Sequence, residues 1–497
     1  MAFRTYTLLG IYIGHDKDQA HKLNWTIKLE NISLLLQSWK KRKLTLFGKV
    51  AILKQLALPK ILFSACMLHT PEYIVKELNQ IFFNFLWGNR EFVKRDVMFS
   101  RLNDGGINMF DVESMFTAVK CSWAVRLLNA SDNEIWPTIA KYVYKLDKDN
   151  FLLLRLNCTN EKKANHFLQN ISPFYRQVIT CFNRAKCIDY DIFCQNILEQ
   201  PLFGNDHIVC NSQHGKNMML MFPEWVKCGL VKVGNLRFKK GILDENFIYQ
   251  TEKMKTNIIS EISLIKTGLK HFNTFIGDNQ PDLDSYIPVF LHKDVVIDMF
   301  TDCKSKFFYE KVIDHKIASP VRTVSYWKEY FDDDDIDFKA VFTNKLNLKD
   351  KKLAEFNFKI LHRYLPCNYN LYKWKKRQDD ICSLCGVKED IVHLLFNCVF
   401  ARIIWDKINE NSHFQICAED VILGYRLSKF DTFIVSTVAY FIFKNWLKYS
   451  YENIPRDPTS AIQYLIIELQ YTIKIYSALK CQDLCRHLKI TIDSLGN

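Results

Sequence analysis

The densest grouping of metal-binding side chains in this sequence is CSLCGVKEDIVHLLFNC, residues 382 to 398. Cys382 and Cys385 flank two residues, His393 follows after seven intervening residues, and Cys398 after four more. Zinc takes four thiolate or imidazole ligands in a tetrahedron, and a Cys-x-x-Cys turn places two thiolates on one side of the ion. Gly386, directly after the second cysteine, gives that turn its freedom of dihedrals. His393 and Cys398 are about one helical turn apart, so both can face the same ion. Three cysteines and one histidine close the coordination shell, and closed sites are structural. The competing reading is four unrelated residues. A second set, Cys481, Cys485 and His487, has the spacing of an ordinary helix core.

A different chemistry is suggested by KEYFDDDDID, residues 328 to 337, which contains Tyr330-Phe331-Asp332-Asp333. A Tyr-x-Asp-Asp string is how a reverse transcriptase presents aspartates to its catalytic metal ions. That chemistry needs a tight hairpin between hydrophobic strands and a third aspartate from an earlier strand. The residues before Tyr330, VSYWKE, end in charge, and FKAVFTNKL after the run has helical periodicity. The expectation is an acidic helix entry, with Asp335 or Asp337 as N-cap. A weak cation site on the run is the alternative.

Two basic stretches complete the chemical inventory. Between Asn31 and Pro71 there is no acidic residue, but Lys40, Lys41, Arg42, Lys43, Lys49, Lys54 and Lys60 all occur. Such a surface either faces phosphates or is a solvated helix face. Residues 356 to 377, FNFKILHRYLPCNYNLYKWKKR, interleave Lys373, Lys375, Lys376 and Arg377 with Tyr372 and Trp374. Cations there can bind phosphates and aromatic faces can stack on unpaired bases.

The elements that must position these groups are mostly helices. The chain has 497 residues, 48% hydrophobic and 24% charged, with only 16 Gly and 12 Pro. That is a folded, mainly α protein of several domains. Residues 6 to 14, YTLLGIYIG, read as a strand. Two or three helices follow from Lys17 to Met67, with Pro59 ending or kinking the second. Helices continue around the aromatic cluster IFFNFLW, read as core, and past the turn Asp104-Gly105-Gly106. Residues 131 to 220 are weakly patterned. A long helix is expected from about Thr251 to Phe275, a linker over 276 to 287, and helices from Val289 to the end, interrupted near Cys382. The net charge of +13 suits an anionic partner, nucleic acid first. The 16 cysteines form no visible disulfide framework. No signal peptide and no run of 18 apolar residues is present, so the expected location is intracellular, nuclear or cytoplasmic, away from any membrane.

The segment from LAEFNFKILHRYLP to CSLCGVKEDIVHLLFNCVFARIIW resembles the zinc-binding region at the C-terminal end of LINE-type (non-LTR) retrotransposon reverse transcriptases. LLGIYIG resembles the strand after that family's catalytic hairpin. SWKKRKLTLFGKVAILKQLALPKILF and FLWGNREFVKR with LNDGGINMFDVESMFTAVKCSWAVRLL resemble its thumb and post-thumb helices. The resemblance implies the end of a polymerase palm at 1–15, thumb and post-thumb helices in a bundle at 16–130, a helical connecting region at 131–287, and a C-terminal helical region at 288–497 with its zinc-binding segment at 340–410. It also implies that the family's catalytic aspartates lie upstream of Met1, so the chain is expected to be a truncated element copy, or the C-terminal half of a longer gene, that does not polymerise alone and has no catalytic residue of its own.

The functional expectation is binding of RNA and DNA by a retrotransposon reverse-transcriptase fragment. Lys40, Lys41, Arg42, Lys43 and Lys49 are the expected thumb phosphate contacts, and Lys373, Lys375, Lys376 and Arg377 the C-terminal ones. Cys382, Cys385, His393 and Cys398 are the expected ligands of a structural zinc ion. An intact reverse transcriptase acting in trans is a further candidate partner. Two alternatives stand beside this reading: a decayed open reading frame without activity, and a residual metal-dependent nuclease at the aspartate run.

Overall fold

The computed structural model describes residues 6–128 except 89, 134–143, 172–186, most of 197–278, 289–298 except 293–294, and 304–496 except 411–414 and 453–456. The described residues are predominantly helical, as the low glycine and proline content requires. They divide into two compact units, each drawn from three stretches of chain.

The first unit comprises residues 1–32, 58–80 and 110–316. Its expected first strand is a hairpin, Tyr6–Leu8 paired antiparallel with Ile11–Ile13. Leu9 and Gly10 both take positive φ, 49° and 79°, the two-residue turn that matches the twist of paired strands. The single glycine in a run of β-formers was therefore a turn. The Asn24 side chain clamps the second strand, accepting from the Tyr12 amide at 2.9 Å and donating to its carbonyl at 2.8 Å.

The Val112–Leu128 helix is the unit's centre. It packs against the Pro59–Met67, Pro173–Lys186 and Ser305–Asp314 helices. Its apolar residues are not confined to one face, as suits a helix packed on several sides. Lys120 on this helix is 1% exposed; its ammonium donates to the Leu68 carbonyl and lies 4.2 Å from the Phe174 ring centroid. A second core gathers Phe203, Trp225, Ile265 and Phe272 from the mixed region 197–278. That region is not wholly helical: Val209–Asn211 pairs with Asn217–Met219, and Phe238–Lys239 with Ile242–Leu243. The long helix expected over 251–275 appears as Ile258–Leu269, then a turn and Asn273–Asp278; residues 251–257 and most of the expected linker lie outside the described residues. Val289–His292 and Val295–Asp298 form a hairpin where helix was expected, consistent with their β-branched and aromatic content.

The second unit comprises 33–57, 81–109 and 317–497 and holds the cysteine cluster. Phe82, Phe83, Phe85 and Leu86 are buried, so the aromatic cluster is core. The Asp104-Gly105-Gly106 turn needs both glycines. Gly105 has φ 83°, and a Cβ there would meet Phe342 at 2.8 Å; a Cβ on Gly106 would fall 2.1 Å from the Ser100 carbonyl oxygen.

Three tryptophans anchor the helices around the cluster, and each satisfies its indole N–H while burying its rings. Trp327 donates to the Leu361 carbonyl, Trp405 to that of Leu395, and Trp446 to the Glu389 carboxylate, each at 2.8 Å. Aspartates start the intervening helices. Asp337 caps Phe338–Leu346, Asp350 caps Lys351–Leu361 and Asp457 caps Pro458–Ala478, each accepting from two first-turn amides. No single helix among the described residues is long and apolar enough to cross a membrane.

Candidate metal centre

The cluster is built on a tight knuckle followed by a short helical turn. Ile381 and Lys388 form an antiparallel bridge. Within it the Cys382 amide donates to the Val387 carbonyl and the Gly386 amide to the Cys382 carbonyl, both at 2.8 Å. Gly386 takes φ 67°, a left-handed conformation natural to glycine. The knuckle therefore turns Cys382 and Cys385 toward the same side.

The other two ligands come from His393–Asn397, which is wound as a π turn. This explains a spacing that an α-helix would not tolerate. Five residues at about 100° each would leave His393 and Cys398 roughly 140° apart around an α-helix. The π turn's wider hydrogen bond, from the Cys398 amide to the His393 carbonyl at 2.7 Å, brings them into register. Asp390 starts the turn by accepting from the His393 amide at 2.8 Å.

All four ligand atoms lie within 4.8 Å of one another. The Cys398 sulfur is 3.9 Å from that of Cys382 and 3.8 Å from that of Cys385. A tetrahedral zinc ion with bonds of about 2.3 Å to sulfur requires sulfurs about 3.8 Å apart. Cys382 is 0% exposed, Cys398 1% and His393 8%. The buried Nε2 of His393 has no hydrogen-bond partner in the protein, which is the condition of a nitrogen reserved for a metal. Backbone amides of Leu384 and Cys385 point at the Cys382 sulfur, and that of Val399 lies 3.4 Å from Cys385. Such donors stabilise thiolate, the form that binds zinc.

The electrostatics point the same way. A hydrogen bond from Cys398 holds the Cys382 thiol far below its usual range, against the opposing effect of burial and with help from His393. The same bond drives the Cys398 thiol upward. A bound divalent cation is what allows neighbouring sulfurs to ionise together. The donor set, its burial and its spacing all fit zinc.

Behind the ligands stands Glu389, 0% exposed. It accepts from the Asn368 amide at 3.1 Å and from Trp446, and its own amide donates to the Asp380 carbonyl at 2.8 Å. Neither Glu389 nor Asp390 stood out in the sequence. The D-x-x-H spacing of Asp390 is an N-cap signal that could have been read. Glu389 sits among charged residues, KED, and looks solvated there.

The remaining expected site residues fall elsewhere in the fold. Lys40 ends the Ile27–Lys40 helix; Lys41, Arg42 and Lys43 follow in the turn, and all four are exposed. The Arg42 guanidinium lies 4.2 Å from the Trp39 ring centroid. Lys49 differs: it is half-buried, donates to the Leu86 carbonyl at 2.8 Å, and burial lowers its pKa. Lys373, Lys375 and Lys376 are exposed at and beyond the end of the Asn368–Lys373 helix. Arg377 turns inward and donates to the Asn368 side chain at 2.6 Å. Cys481, Cys485 and His487 form no cluster; His487 Nδ1 instead lies 3.4 Å from Asp431.

Tyr330 and Phe331 belong to the Val321–Phe331 helix, and Asp332 is its left-handed C-cap at φ 52°. Asp333 accepts from the Asp335 amide at 2.8 Å, and Asp337 is the next helix's N-cap. The string is a helix–turn–helix joint, not a strand hairpin.

Residues 322–405 match the family model described as zinc-binding in reverse transcriptase. The match contains all four cluster residues, together with Trp327 and Trp405, but not the Lys429–Glu452 helix that carries Trp446.

Proposed function

We propose that this chain is a nucleic-acid-binding part of a LINE-type, non-LTR reverse transcriptase, in which a structural zinc ion held by Cys382, Cys385, His393 and Cys398 fixes the C-terminal region. The carrying observation is the closed, buried ligand set inside a segment similar to the zinc-binding region of reverse transcriptases. A closed Cys₃His shell leaves no position for water or substrate, so its role is to fold and orient.

Contact with RNA or DNA is assigned to the exposed cations. Lys40, Lys41, Arg42 and Lys43 form one run, and Lys373, Lys375 and Lys376 the other; none of them has an ion-pair partner among the described residues. Unpaired exposed cations are the groups that release counterions on meeting phosphate. Lys49 and Arg377 act first as supports, given their hydrogen bonds inside the fold. The helical setting of Tyr330-Phe331-Asp332-Asp333 argues against polymerase chemistry at that string.

The test is binding of the full chain to labelled single-stranded RNA across a salt series. The expected result is a linear fall of log K with log salt, with a slope of about −0.7 per neutralised phosphate. Absence of binding at low salt, or sustained primer extension by this chain alone on a primed RNA template, would overturn the proposal.

A further inference from the structure

A cleft of about 300 Å³ opens in the second unit, lined among others by Arg90, Phe92, Tyr326, Arg363, Tyr364 and Trp374. These residues come from three separate stretches of sequence, and their convergence is a product of the fold. Phe92 is at its centre. Its ring is stacked on Tyr364 at 5.1 Å and 16°, and is tilted against Trp374, also at 5.1 Å. Phe92, Tyr326 and Trp374 are each only partly buried, so aromatic surface remains accessible.

The cations of the cleft lie over these rings. The Arg363 guanidinium is 4.0 Å from the Tyr326 centroid, and that of Arg90 is 5.5 Å from Phe92 and 5.6 Å from Trp374. Neither arginine makes an ion pair among the described residues. Two carboxylates also line the cleft, but neither pairs with these arginines: Glu91 is bound by Arg95 at 2.5 Å, and Asp390 accepts from the His393 amide at 2.8 Å. Arg363, which lines the cleft, carries a buried Nε without a protein partner. Arg363 also holds a left-handed backbone, φ 59°, at a helix end where glycine or asparagine is usual.

We infer that this cleft binds one unpaired nucleotide of a single-stranded nucleic acid. Partly exposed ring faces suit a planar base, and arginines without carboxylate partners suit its phosphate. A base already stacked within a duplex cannot enter a space of this size. The inference rests on the nucleic-acid reading above and deepens it by naming the place where a base is held.

The experiment uses the full chain and a single-stranded RNA 12-mer, or its DNA counterpart, carrying one 5-iodouracil. Ultraviolet crosslinking is done at protein concentrations that saturate the oligonucleotide, and the adduct is mapped by peptide mass spectrometry. The expected adduct is on Phe92, Tyr326, Tyr364 or Trp374. Its yield is expected to fall at least about fivefold in Arg90→Gln/Arg363→Gln, and a fully paired duplex should not form it. The mapped position in the unaltered chain decides the question even if that variant folds poorly. Binding with adducts only at other residues, or equal adducts from duplex, would overturn the cleft and leave the wider nucleic-acid reading standing. Absence of any binding would overturn both.

Discussion

The indole nitrogen of Trp446 lies 2.8 Å from Oε1 of the buried Glu389, which precedes His393 by four residues in sequence. This bond ties the metal knuckle to the Lys429–Glu452 helix. Glu389 also receives the Asn368 amide, so it serves two elements at once. Supporting groups of this kind orient ligands they do not touch. Glu389→Ala strands both donors, each at a cost of about 1–3 kcal/mol. A melting temperature well below the parent's is expected, with Glu389→Gln losing less because one acceptor oxygen remains. Thermal denaturation with zinc analysis checks this; equal losses for Ala and Gln would refute it.

The metal centre predicts a stoichiometric ion. Zinc analysis of the purified chain should give one equivalent, and Cys398→Ser should lower retention under a competing chelator by at least tenfold. Because the site is assembled by folding, metal binding is coupled to stability. Chelation should therefore lower the unfolding temperature of the parent and leave Cys398→Ser nearly unmoved. An identical response in both would exclude these ligands.

Lys345 supplies a pH prediction. It is fully buried, with its ammonium 2.7 Å from the Val421 carbonyl, and burial depresses its pKa to about 7, partly offset by Asp420. The unfolded chain, with a lysine pKa near 10.4, binds more protons between pH 7 and that value. Its contribution to stability thus rises with pH across that window and is flat below it. Lys345→Met removes the dependence. The difference in unfolding free energy, parent minus variant, should grow with pH from 7 to 10 by up to about 4 kcal/mol. Urea titrations at pH 7, 8.5 and 10 test it, and a difference independent of pH would contradict it.

His362 predicts the opposite limb. Its Nε2 lies 2.8 Å from the Gly105 carbonyl and its Nδ1 3.3 Å from the Thr323 hydroxyl. A carbonyl only accepts, so Nε2 carries the proton and Nδ1 accepts from Thr323. Burial lowers the pKa to about 4, opposed by the Gly105 bond and aided by Arg363. The folded protein then resists protonation that the unfolded chain accepts below about pH 6.5. Stability from this group is lost as pH falls from there toward 4. His362→Gln should flatten that acid limb in denaturant titrations; an unchanged limb would count against the assignment.

These groups differ in how far the sequence disclosed them. Cys-x-x-Cys-Gly is a local signal, because two ligands and their turn are contiguous. The pairing of His393 with Cys398 was legible only as proximity, since a π turn carries no residue code. The Tyr6–Ile13 hairpin was read as one strand because its turn is only two residues long and one of them is Leu9. Asp337 as an N-cap followed from short-range chemistry. Glu389, Lys345 and the Phe92–Trp374 contact depend on partners distant in sequence, and polarity patterns place such residues wrongly or not at all.

The two basic runs share a position that separates stability from binding. Lys40–Lys43 and Lys373–Lys376 each sit at and just beyond a helix C-terminus, where cations complement the helix dipole. At exposed positions that effect is only about 0.3–1 kcal/mol and is screened by salt. If the runs serve only the dipole, Lys41→Gln/Lys43→Gln should change the melting temperature slightly and RNA binding not at all. If they contact phosphates, the double variant should reduce the salt slope by about 1.4, two single-strand contacts, with the same small stability change. Arg377→Gln gives the contrast, since its bond to Asn368 makes the loss chiefly one of stability. The expected outcome is a shallower slope for the lysine pair and a lower melting temperature for Arg377→Gln. An unchanged slope in the lysine variant would reassign the first run to helix termination alone.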